Sequence, residues 1–442
     1  MCSPIDTVDE AEIIKGRLYF ATVSARPTHQ YPGYHLLCTD DELVYCNYNA
    51  DFGPLNLAML FRFCDMINRK LQQPSMTSKR LIYYTGTDPC KRTNAAFLIG
   101  SYAILYLGRT AEEAYVTLAL GSRTVFRPFR DASAGPSTYN LSLLDTLLGV
   151  AKASQFRFLD FASFNVEQYE HYEKLENGDL NWIVPKKFLA FSSPHAHSKI
   201  VNGYPIHAPE AYLPYFRRNN VTAVVRLNDK LYEASRFTSV GIAHYDLFFA
   251  DGGTPDNDIV QRFLVICEKT DGAIAVHCKA GLGRTGTLIG CFLMKHFKFT
   301  AAETIAWTRI ARPGSILGQQ QLFLQDRQQE MWNQGDAYRR QHQQTGGKDV
   351  ETRSVMVIGD PLVACSSTQQ EAGSLAVTSS QGDQLNKLKL QRCRQSQGQG
   401  QSQGQSQGQS VTRQGVKRQH PESEVNQSNS LFSSLRRLRP RH

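Results

Sequence analysis

The sequence predicts an α/β fold in which two copies of one domain follow each other, joined by a linker helix and followed by a polar tail. Short apolar runs alternate with helical patterns in both halves. An internal repeat supports the two copies, because Ala50-Asp-Phe-Gly53 returns as Ala250-Asp-Gly-Gly253 and Leu98-Ile-Gly100 returns as Leu288-Ile-Gly290. The predicted boundaries are 14–155 for the first domain, 156–198 for a linker helix with an acidic face, 199–340 for the second domain and 341–442 for a disordered tail.

In the first copy, apolar runs and helical spacing indicate five elements. The predicted strands are Gly16–Thr22, Leu43–Cys46 and Arg80–Thr85, and the predicted helices are Pro54–Leu71 and Asn94–Leu107.

The linker carries glutamates at every third position, which keeps them near one face of a helix. Asn177-Gly178 is a typical helix end, and Asp179 follows it. Such a run is usually a solvated acidic face. The alternative is a groove for a basic ligand, which would offset a repulsion of a few tenths of a kcal/mol per like-charged pair. The four glutamates are Glu167, Glu170, Glu173 and Glu176.

In the second copy, strands are predicted over Val221–Leu227, Ile242–Phe249 and Ala273–Val276, and a helix over Asp256–Lys269. The last strand leads into a glycine-rich loop, and another helical pattern begins after it. The thiol of Cys278 would therefore lie at the mouth of a helix, where backbone N–H groups and the helix dipole favour an anion. A phosphate group would fit there.

The residue types of this loop suit nucleophilic attack on phosphorus. A helix N-terminus and a nearby cation can lower the pKa of a thiol from about 8.5 to about 3.5–7.5, so Cys278 would react as a thiolate. Arg284 can grip two phosphoryl oxygens, and the Thr285 hydroxyl could bond the thiolate when it leaves. The expected phosphate-binding residues are Lys279, Ala280, Gly281, Leu282, Gly283 and Arg284.

The residues of the loop also fit two other interpretations. Gly281-Leu-Gly-Arg-Thr-Gly286 also fits a dinucleotide fingerprint, but that site needs an acidic residue about 20 positions later at a strand end, where this sequence predicts helix. Cys278 could instead be a buried structural cysteine. That interpretation leaves Arg284 and the glycines unexplained.

The first copy is expected to be inert and to pack against the second. The 190-residue offset of the repeat places Asp88 opposite Cys278 and Asn94 opposite Arg284. A carboxylate would repel a phosphate, and an amide carries no charge. Cys90 could be a displaced nucleophile, but no arginine follows it at the sixth position.

Release of an alcohol or phenol oxygen from phosphorus needs a proton donor, which typically contributes about 10²–10⁴-fold. Asp251 precedes Gly252-Gly-Thr-Pro255, on a loop able to close over a substrate. Asp246 is expected inside a strand, and Asp256 and Asp258 in a helix, so Asp251 is the preferred donor. It would then act as the base on the water that hydrolyses a phosphocysteine.

These residues carry a resemblance to a known family. His277-Cys278 followed by Arg284-Thr285 resembles the motif of cysteine-dependent protein tyrosine and dual-specificity phosphatases. With Phe248–Pro255 and Arg312–Gln320, the sequence resembles the cell-division-cycle-fourteen (mitotic-exit) phosphatases from about residue 16 to about residue 332. The resemblance implies two tandem dual-specificity-phosphatase-like domains, the first non-catalytic and the second catalytic, and a phosphocysteine mechanism without a cofactor or metal.

The resemblance also assigns residues. Asp251 would be the general acid. Gln320 is the best match to the amide that positions the hydrolytic water, although Gln319 stands where the family has proline and Gln321 is an alternative. The acidic linker would select a basic residue downstream of the phosphosite. The residues expected to do so are Glu170, Glu173 and Asp179.

The substrates implied by the resemblance are phosphoproteins, mainly targets of proline-directed kinases, and phosphotyrosine. It also implies a role in cell-cycle control, in the nucleus or nucleolus, the cytoplasm and the centrosome. A phosphoinositide phosphatase is one alternative, but such enzymes commonly carry a second lysine in this loop, where Lys279 is accompanied by Leu282. A non-catalytic phosphoprotein-binding scaffold is the other.

The composition favours an intracellular protein. No apolar run approaches the roughly 20 residues that span a bilayer, and no signal-peptide pattern opens the chain. The ten cysteines lack metal-binding spacing. From Gln341 onward, Gly, Ser and Gln dominate and disorder is expected. Basic clusters at Arg413–Arg418 and Leu435–Arg441 suit nuclear import or an acidic polymer, or serve solubility alone. Neither a specific nucleic acid nor membrane insertion is expected.

Overall fold

The computed structural model describes residues 5–29, 31–201, 203–345 and 380–404, with side chains as far as residue 342 and, in the last segment, as far as residue 392. The first domain has a four-stranded sheet in the order β1-β2-β4-β3, in which β1 is antiparallel to β2 and the other pairs are parallel. Its elements are β1 (Thr7–Ile14), β2 (Leu18–Val23), β3 (Tyr34–Leu37), α1 (Leu57–Gln72), a 3₁₀ turn (Pro74–Met76), β4 (Arg80–Thr85), α2 (Pro89–Leu107), α3 (Ala111–Leu120) and α4 (Leu143–Gln155).

The second domain has a five-stranded sheet whose central strand leads into the glycine-rich loop. Its elements are α5 (Val166–Glu173), a 3₁₀ turn (Leu175–Asn177), β5 (Leu180–Val184), β6 (Phe188–Phe191), β7 (Lys199–Val201), β8 (Tyr204–Ile206), α6 (Pro209–Arg218), β9 (Val221–Arg226), α7 (Ser235–Thr238), β10 (Ala243–Asp246), α8 (Asn257–Lys269), β11 (Ala273–His277), α9 (Gly283–Phe297), α10 (Ala301–Ala311) and α11 (Gln319–Thr345). The strand order is β10-β9-β11-β6-β5, with only β5 antiparallel to its neighbour, and β7 pairs with β8 apart from this sheet.

The prediction of two related α/β domains is confirmed. In each domain a strand, β4 or β11, is followed by a long helix and then by a helix that begins with a capping box. The Thr110 hydroxyl accepts the Glu113 N–H, and the Thr300 hydroxyl accepts the Glu303 N–H. In turn, the Glu113 and Glu303 carboxylates accept hydrogen bonds from the N–H groups of Thr110 and Thr300. The same local sequence therefore starts both helices.

The two domains pack through α4 and α10 into one continuous hydrophobic core. A Cβ atom at Gly149 would lie 2.9 Å from the Ala306 Cβ and 3.1 Å from the Glu303 carbonyl oxygen, so glycine allows the helices to approach closely. Phe158 stacks on Phe299 with ring centroids 5.9 Å apart. The first domain therefore packs directly against the second.

Two predictions about local structure were wrong. Leu43–Cys46 is not a strand, because Asp51 holds this loop by accepting bonds from the Tyr45 hydroxyl and the Tyr48 N–H. Residues 156–198 are not one linker helix, since β5 and β6 within them pair into the second sheet and the second domain begins well before residue 199. The helix α5 ends at Glu173, and Gly178, with φ 112°, turns the chain into β5.

The expectation of disorder from residue 341 was also wrong for the described part of the tail. The helix α11 continues to Thr345, and a further helix, α12 (Gln381–Gly404), packs against the second domain. Leu385 and Lys389 are each only 5% exposed there, and their burial stabilises a segment whose composition alone predicts disorder. The basic clusters at Arg413–Arg418 and Leu435–Arg441 lie outside the described residues.

Candidate active site

The glycine-rich loop connects the buried strand β11 to the N-terminus of α9. Gly281 has φ +67°, and a Cβ atom there would lie 2.0 Å from the Phe191 carbonyl oxygen, so the loop requires glycine. Leu282 is the N-cap residue of α9, and Cys278 is 3% exposed at the base of the loop. The thiol is thus surrounded by the backbone of a helix N-terminus, where a dianion is favoured.

The carbonyl groups of this loop are held by the surrounding scaffold. Arg312 donates from Nε to the Gly281 oxygen at 2.8 Å and from Nη2 to the Ala280 oxygen at 3.2 Å. The Ser193 N–H donates to the Lys279 oxygen at 3.1 Å. Across the described ranges, no protein acceptor receives a bond from the backbone N–H groups of residues 279–282. These donors are available for phosphoryl oxygens.

The thiol of Cys278 is electrostatically activated. Burial alone would raise the pKa of Cys278, but the Arg284 guanidinium and hydrogen bonds from the side chain and backbone of Thr285 bring that pKa below its usual value. The Thr285 hydroxyl is buried and has no oxygen or nitrogen partner within the described part of the chain, so it is available to bond the Cys278 sulfur. The lowered pKa increases the fraction of Cys278 that is present as the nucleophilic thiolate.

We expect Thr285→Ala to raise the pKa of Cys278, because the substitution removes one of the bonds that stabilise the thiolate. The measurement is the rate of Cys278 alkylation by iodoacetamide against pH, whose inflection should move to higher pH. Hydrolysis of the phosphocysteine should slow by roughly 10- to 150-fold, since a hydrogen bond to a charged group is worth about 1.5–3 kcal/mol. Thr287→Ala is the control: among the described residues the Thr287 hydroxyl bonds only the Gly283 carbonyl, so the inflection should stay in place.

Arg284 is buried beside the thiol and is held by the loop that carries Asp251. Its Nη1 donates to the Phe249 carbonyl oxygen at 2.9 Å, and its Nη2 lies 3.0 Å from Asp251 Oδ1. Arg284 Nε has no partner among the described residues. The guanidinium thus links the phosphate loop to the Asp251 loop and keeps a donor for a phosphoryl oxygen.

The aspartates that compete with Asp251 as proton donors have other partners. Asp246 makes two bonds to Arg226, with oxygen–nitrogen distances of 2.6 and 2.9 Å. Asp256 caps α8 by accepting the Ile259 N–H, and Asp258 is exposed. Of these four carboxylates, only Asp251 contacts Arg284 of the phosphate loop.

The structure distinguishes the two glutamines considered for the hydrolytic water. Gln320 is buried between the phosphate loop and the Asp251 loop, with its Nε2 3.1 Å from the Gly253 oxygen, and a Cβ atom at Gly283 would lie 2.7 Å from its Oε1. Gln321 instead accepts a bond from buried Arg309 at 2.7 Å. Gln320 therefore lies where it can contact a water in the site, whereas Gln321 supports the loop.

The first domain positions the loop that carries Gln320. The Tyr48 hydroxyl donates to the Pro313 carbonyl at 3.1 Å, and a Cβ atom at Gly314 would lie 2.4 Å from the Tyr48 ring. Asp131 accepts the Gly318 N–H at 2.8 Å. Sequence reasoning missed Tyr48 and Asp131, as well as the role of Arg312 in holding the phosphate loop, because these contacts join distant parts of the chain.

In the first domain, the carboxylate of Asp88 occupies the site that corresponds to the phosphate loop. Asp88 caps α2 by accepting the N–H groups of Cys90 and Lys91 at 3.0 and 2.9 Å. Asn94, at the position that corresponds to Arg284, donates to the Phe52 carbonyl. Burial raises the pKa of Cys90, so its thiol is not activated. The backbone donors that would bind a phosphate are thus already used.

An acidic groove lies between the domains, beside the phosphate loop. A cavity of 540 Å³ is lined by Glu170, Glu173, Asp179, Tyr48 and Leu282, among other residues. Glu170 is paired with Arg62 through two bonds of 2.8 and 2.6 Å, so its charge is largely neutralised.

The other two acids of the groove are more enclosed. Burial raises the pKa of Glu173, which also accepts a bond from Asn56 Nδ2 at 3.2 Å. Asp179 pairs with Arg312 at 3.0 Å. Glu167 and Glu176 are exposed, so the solvated interpretation fits these two glutamates.

Neither a metal site nor a membrane span is found in the described residues. No group of three or more His, Cys, Asp or Glu side chains in those ranges is arranged to hold a metal ion. None of the helices described is both long enough and apolar enough to cross a bilayer.

Comparison with known proteins identifies both domains. Residues 12–153 match the family model "Dual specificity protein phosphatase, N-terminal half", and residues 204–298 match "Polymorphic toxin system, DSP-PTPase phosphatase". The chain is 54% identical to mouse dual specificity protein phosphatase CDC14A over 88% of its own length and 66% of the mouse protein. It is 60% identical to human CDC14A over 76% of its length and 56% of that protein.

The chain thus spans between 56% and 66% of the length of these two relatives. A shorter relative is covered more fully: human dual specificity protein phosphatase CDC14C is 53% identical over 74% of this chain and 72% of the human protein. With this coverage and the two matched domains, the chain belongs to the CDC14 family of dual-specificity protein phosphatases.

Proposed function

We propose that this protein hydrolyses phosphoserine and phosphothreonine that precede proline and are followed by a basic residue, and also phosphotyrosine, through a phosphocysteine intermediate. The observation that carries the proposal is the activated Cys278 thiol next to Arg284 and the unused N–H groups of the phosphate loop. A role in cell-cycle control, on targets of proline-directed kinases, is part of the proposal. So is a location in the nucleus or nucleolus, the cytoplasm and the centrosome.

In the first step the Cys278 thiolate attacks phosphorus, and the bond from phosphorus to the substrate oxygen breaks. The Asp251 carboxylic acid gives its proton to that oxygen, so the substrate leaves as an alcohol or phenol. Arg284 and the loop N–H groups bind the equatorial oxygens and stabilise the charge of the transferring phosphoryl group. The phosphoryl group is then bonded to the Cys278 sulfur.

In the second step water replaces the sulfur. The Asp251 carboxylate takes a proton from the water, whose oxygen bonds to phosphorus while the bond from phosphorus to sulfur breaks. Gln320 lies between the loops of Gly253 and Gly283, a position from which its amide can bond such a water. The Thr285 hydroxyl stabilises the departing thiolate. The products are inorganic phosphate and the free enzyme, and no metal takes part in either step.

The surroundings of the loop support a proline-directed protein substrate. An apolar cluster that includes Tyr48, Ala132, Leu282 and Leu317 borders the phosphate loop and offers a surface for a proline ring after the phosphorylated residue. Beyond it, the groove of Glu173 and Asp179 offers negative charge to a downstream Lys or Arg. An anionic inositol phosphate would be repelled by the same acids.

The test is turnover of a phosphopeptide panel in reducing buffer with EDTA. The panel varies the +1 residue between proline and alanine and the +3 residue between lysine and alanine, with inositol phosphates as a parallel series. The best peptide should carry proline at +1 and lysine at +3. Absence of turnover would refute the enzyme assignment and favour a binding scaffold, and faster release from inositol phosphates would favour the lipid alternative.

We expect Glu173→Gln to reduce the preference for lysine over alanine at +3 by roughly 10- to 150-fold, the worth of one charge-assisted hydrogen bond of about 1.5–3 kcal/mol. The measurement is the ratio of kcat/KM for the two peptides. The matched control is Glu176→Gln, an exposed glutamate three residues further along. An equal ratio in wild type and both variants would mean that Glu173 does not contribute to the preference for lysine at +3.

A further inference from the structure

The loop that leads to Gln320, here called the Gln320 loop (residues 313–320), has a strained backbone. The φ angles of Gly314, Ile316 and Gly318 are +80°, +60° and +52°. Isoleucine is β-branched and is sterically disfavoured in this left-handed region, yet Ile316 is fully buried. Such a backbone persists only where the surrounding structure holds it. The groups that hold this loop therefore determine where Gln320 lies.

Within the second domain, Arg309 holds the middle of the Gln320 loop. Its Nε donates to the Ser315 carbonyl oxygen at 3.0 Å, and its Nη2 donates to the Ile316 carbonyl oxygen at 2.8 Å. These two bonds fix the strained residue itself. The two ends of the loop are held by other groups.

Both ends of the Gln320 loop are bonded to the first domain. At the start, the Tyr48 hydroxyl donates to the Pro313 carbonyl oxygen at 3.1 Å. At the end, Asp131 Oδ2 accepts the Gly318 N–H at 2.8 Å. Gly318 directly precedes α11, whose second residue is Gln320, so this carboxylate lies at a helix N-terminus, where negative charge is favoured. Asp131 thus fixes the turn that carries Gln320.

The two groups of the first domain belong to one buried frame. Asn49 Nδ2 donates to the Ala132 carbonyl oxygen at 2.7 Å, which joins the segment of Tyr48 to that of Asp131. Asp131 is only 1% exposed. Burial lowers the pKa of Arg309, and the Asp131 carboxylate is the strongest of the charges that oppose this change. Because an isolated buried carboxylate is unfavourable, its bond and its charge both tie Asp131 to the second domain.

We propose that Asp131 and Tyr48 of the first domain are positioning residues for the second chemical step, the hydrolysis of the phosphocysteine. The inference rests on the proposed function, in which the Gln320 amide bonds the attacking water. The contacts of Asp131 within the described ranges include neither Cys278 nor Asp251, so formation of the phosphocysteine should not depend on it. The domain without a phosphate site of its own thus takes part in the chemistry of the other.

A chromogenic aryl phosphate separates the two steps. Its phenol leaves when the phosphocysteine forms, so the burst of the first turnover reports the first step and the later steady rate reports hydrolysis. If hydrolysis alone slows, kcat and KM fall together, and kcat/KM keeps its wild-type value because it covers only the steps up to phosphocysteine formation. A purely structural defect would instead lower the active fraction and with it kcat/KM.

The first variant in the full chain is Asp131→Ala, which removes the acceptor of the Gly318 N–H. We expect the burst rate and kcat/KM to stay at their wild-type values and the steady rate to fall roughly 10- to 100-fold, since a misplacement of about 1 Å can cost about 10²-fold. Asp131→Asn keeps an oxygen that can accept this bond and should recover most of the steady rate.

The matched control is Asp9→Ala. Asp9 is another buried aspartate of the first domain and accepts the Arg123 N–H at 2.7 Å, within its own domain. The variant loses a comparable bond, and both phases should stay at their wild-type rates. A steady rate as slow as that of Asp131→Ala would show that lost stability of the first domain, rather than lost positioning, causes the effect.

Tyr48→Phe tests the other end of the loop without emptying a buried charged position, and it decides the inference if Asp131→Ala does not fold. It removes the hydroxyl that bonds Pro313 and keeps the ring, so the steady rate should fall by a smaller factor at an unchanged burst rate.

Three results would overturn the inference and leave the proposed function intact: an unchanged steady rate in Asp131→Ala and Tyr48→Phe, an equal slowing of burst and steady rate, or an Asp131→Asn variant as slow as Asp131→Ala. Absence of turnover in wild type would instead refute the proposed function, and the inference with it.

Discussion

Cys278→Ser should reduce turnover of every phosphopeptide by at least roughly 10⁴-fold, because a serine hydroxyl in this loop is not ionised near neutral pH and the nucleophile is lost. Arg284 and the loop N–H groups remain in place, so the variant should still bind the phosphopeptide. Loss of turnover with retained binding would show that Cys278 acts as the nucleophile and that Arg284 and the loop N–H groups bind the phosphate. The measurements are kcat with a phosphoserine peptide and binding of the same peptide to the inactive variant.

Cys90→Ser is the matched control in the first domain. That thiol lies near the N-terminus of α2, but Asp88 already accepts the N–H groups of Cys90 and Lys91, so no phosphate site is left. We expect unchanged turnover in this variant. Denaturing the enzyme during turnover of a phosphate-labelled substrate should leave label on wild type and Cys90→Ser and none on Cys278→Ser. Labelling of Cys278→Ser would show that another residue is the nucleophile.

The sequence predicted those parts of the fold that depend on local pattern and on the repeat. The capping boxes at Thr110 and Thr300 and the strand before Cys278 are encoded within a few residues, so they were recognisable. The repeat also predicted an acid opposite the nucleophile. Even so, it could not show that Asp88 caps α2 through the N–H groups that would otherwise bind phosphate, since that bond is a matter of side-chain geometry.

Contacts between distant segments were beyond sequence reasoning. Tyr48 bonds to Pro313, 265 residues away, and nothing near either residue indicates the pair. The pairing of Glu170 with Arg62 likewise neutralises a charge that the spacing of the glutamates predicted to be available to a ligand. For α12 a signal was present, because Leu385, Leu388 and Arg392 recur at helical spacing. The surrounding Gln, Ser and Gly composition masked it.

Asp251→Asn should slow release from a phosphoserine peptide by about 10²–10⁴-fold, because the serine alkoxide then leaves without a proton. An aryl phosphate with a strongly acidic phenol needs no such proton, so its cleavage should slow far less. The measurement is kcat/KM for both substrates in wild type and variant, because kcat/KM covers only the steps up to phosphocysteine formation, before Asp251 acts as a base. Asp258→Asn removes a carboxylate that is exposed, and both rates should stay at the wild-type value.

The ratio of the two rates is more informative than either rate alone, because Asp251 also pairs with Arg284 at 3.0 Å. A disturbed Arg284 would weaken phosphoryl binding and slow both substrates by the same factor. Loss of the proton donor slows only the substrate with the basic leaving group. An equal slowing of both substrates would therefore reject Asp251 as the general acid and reduce its role to positioning Arg284.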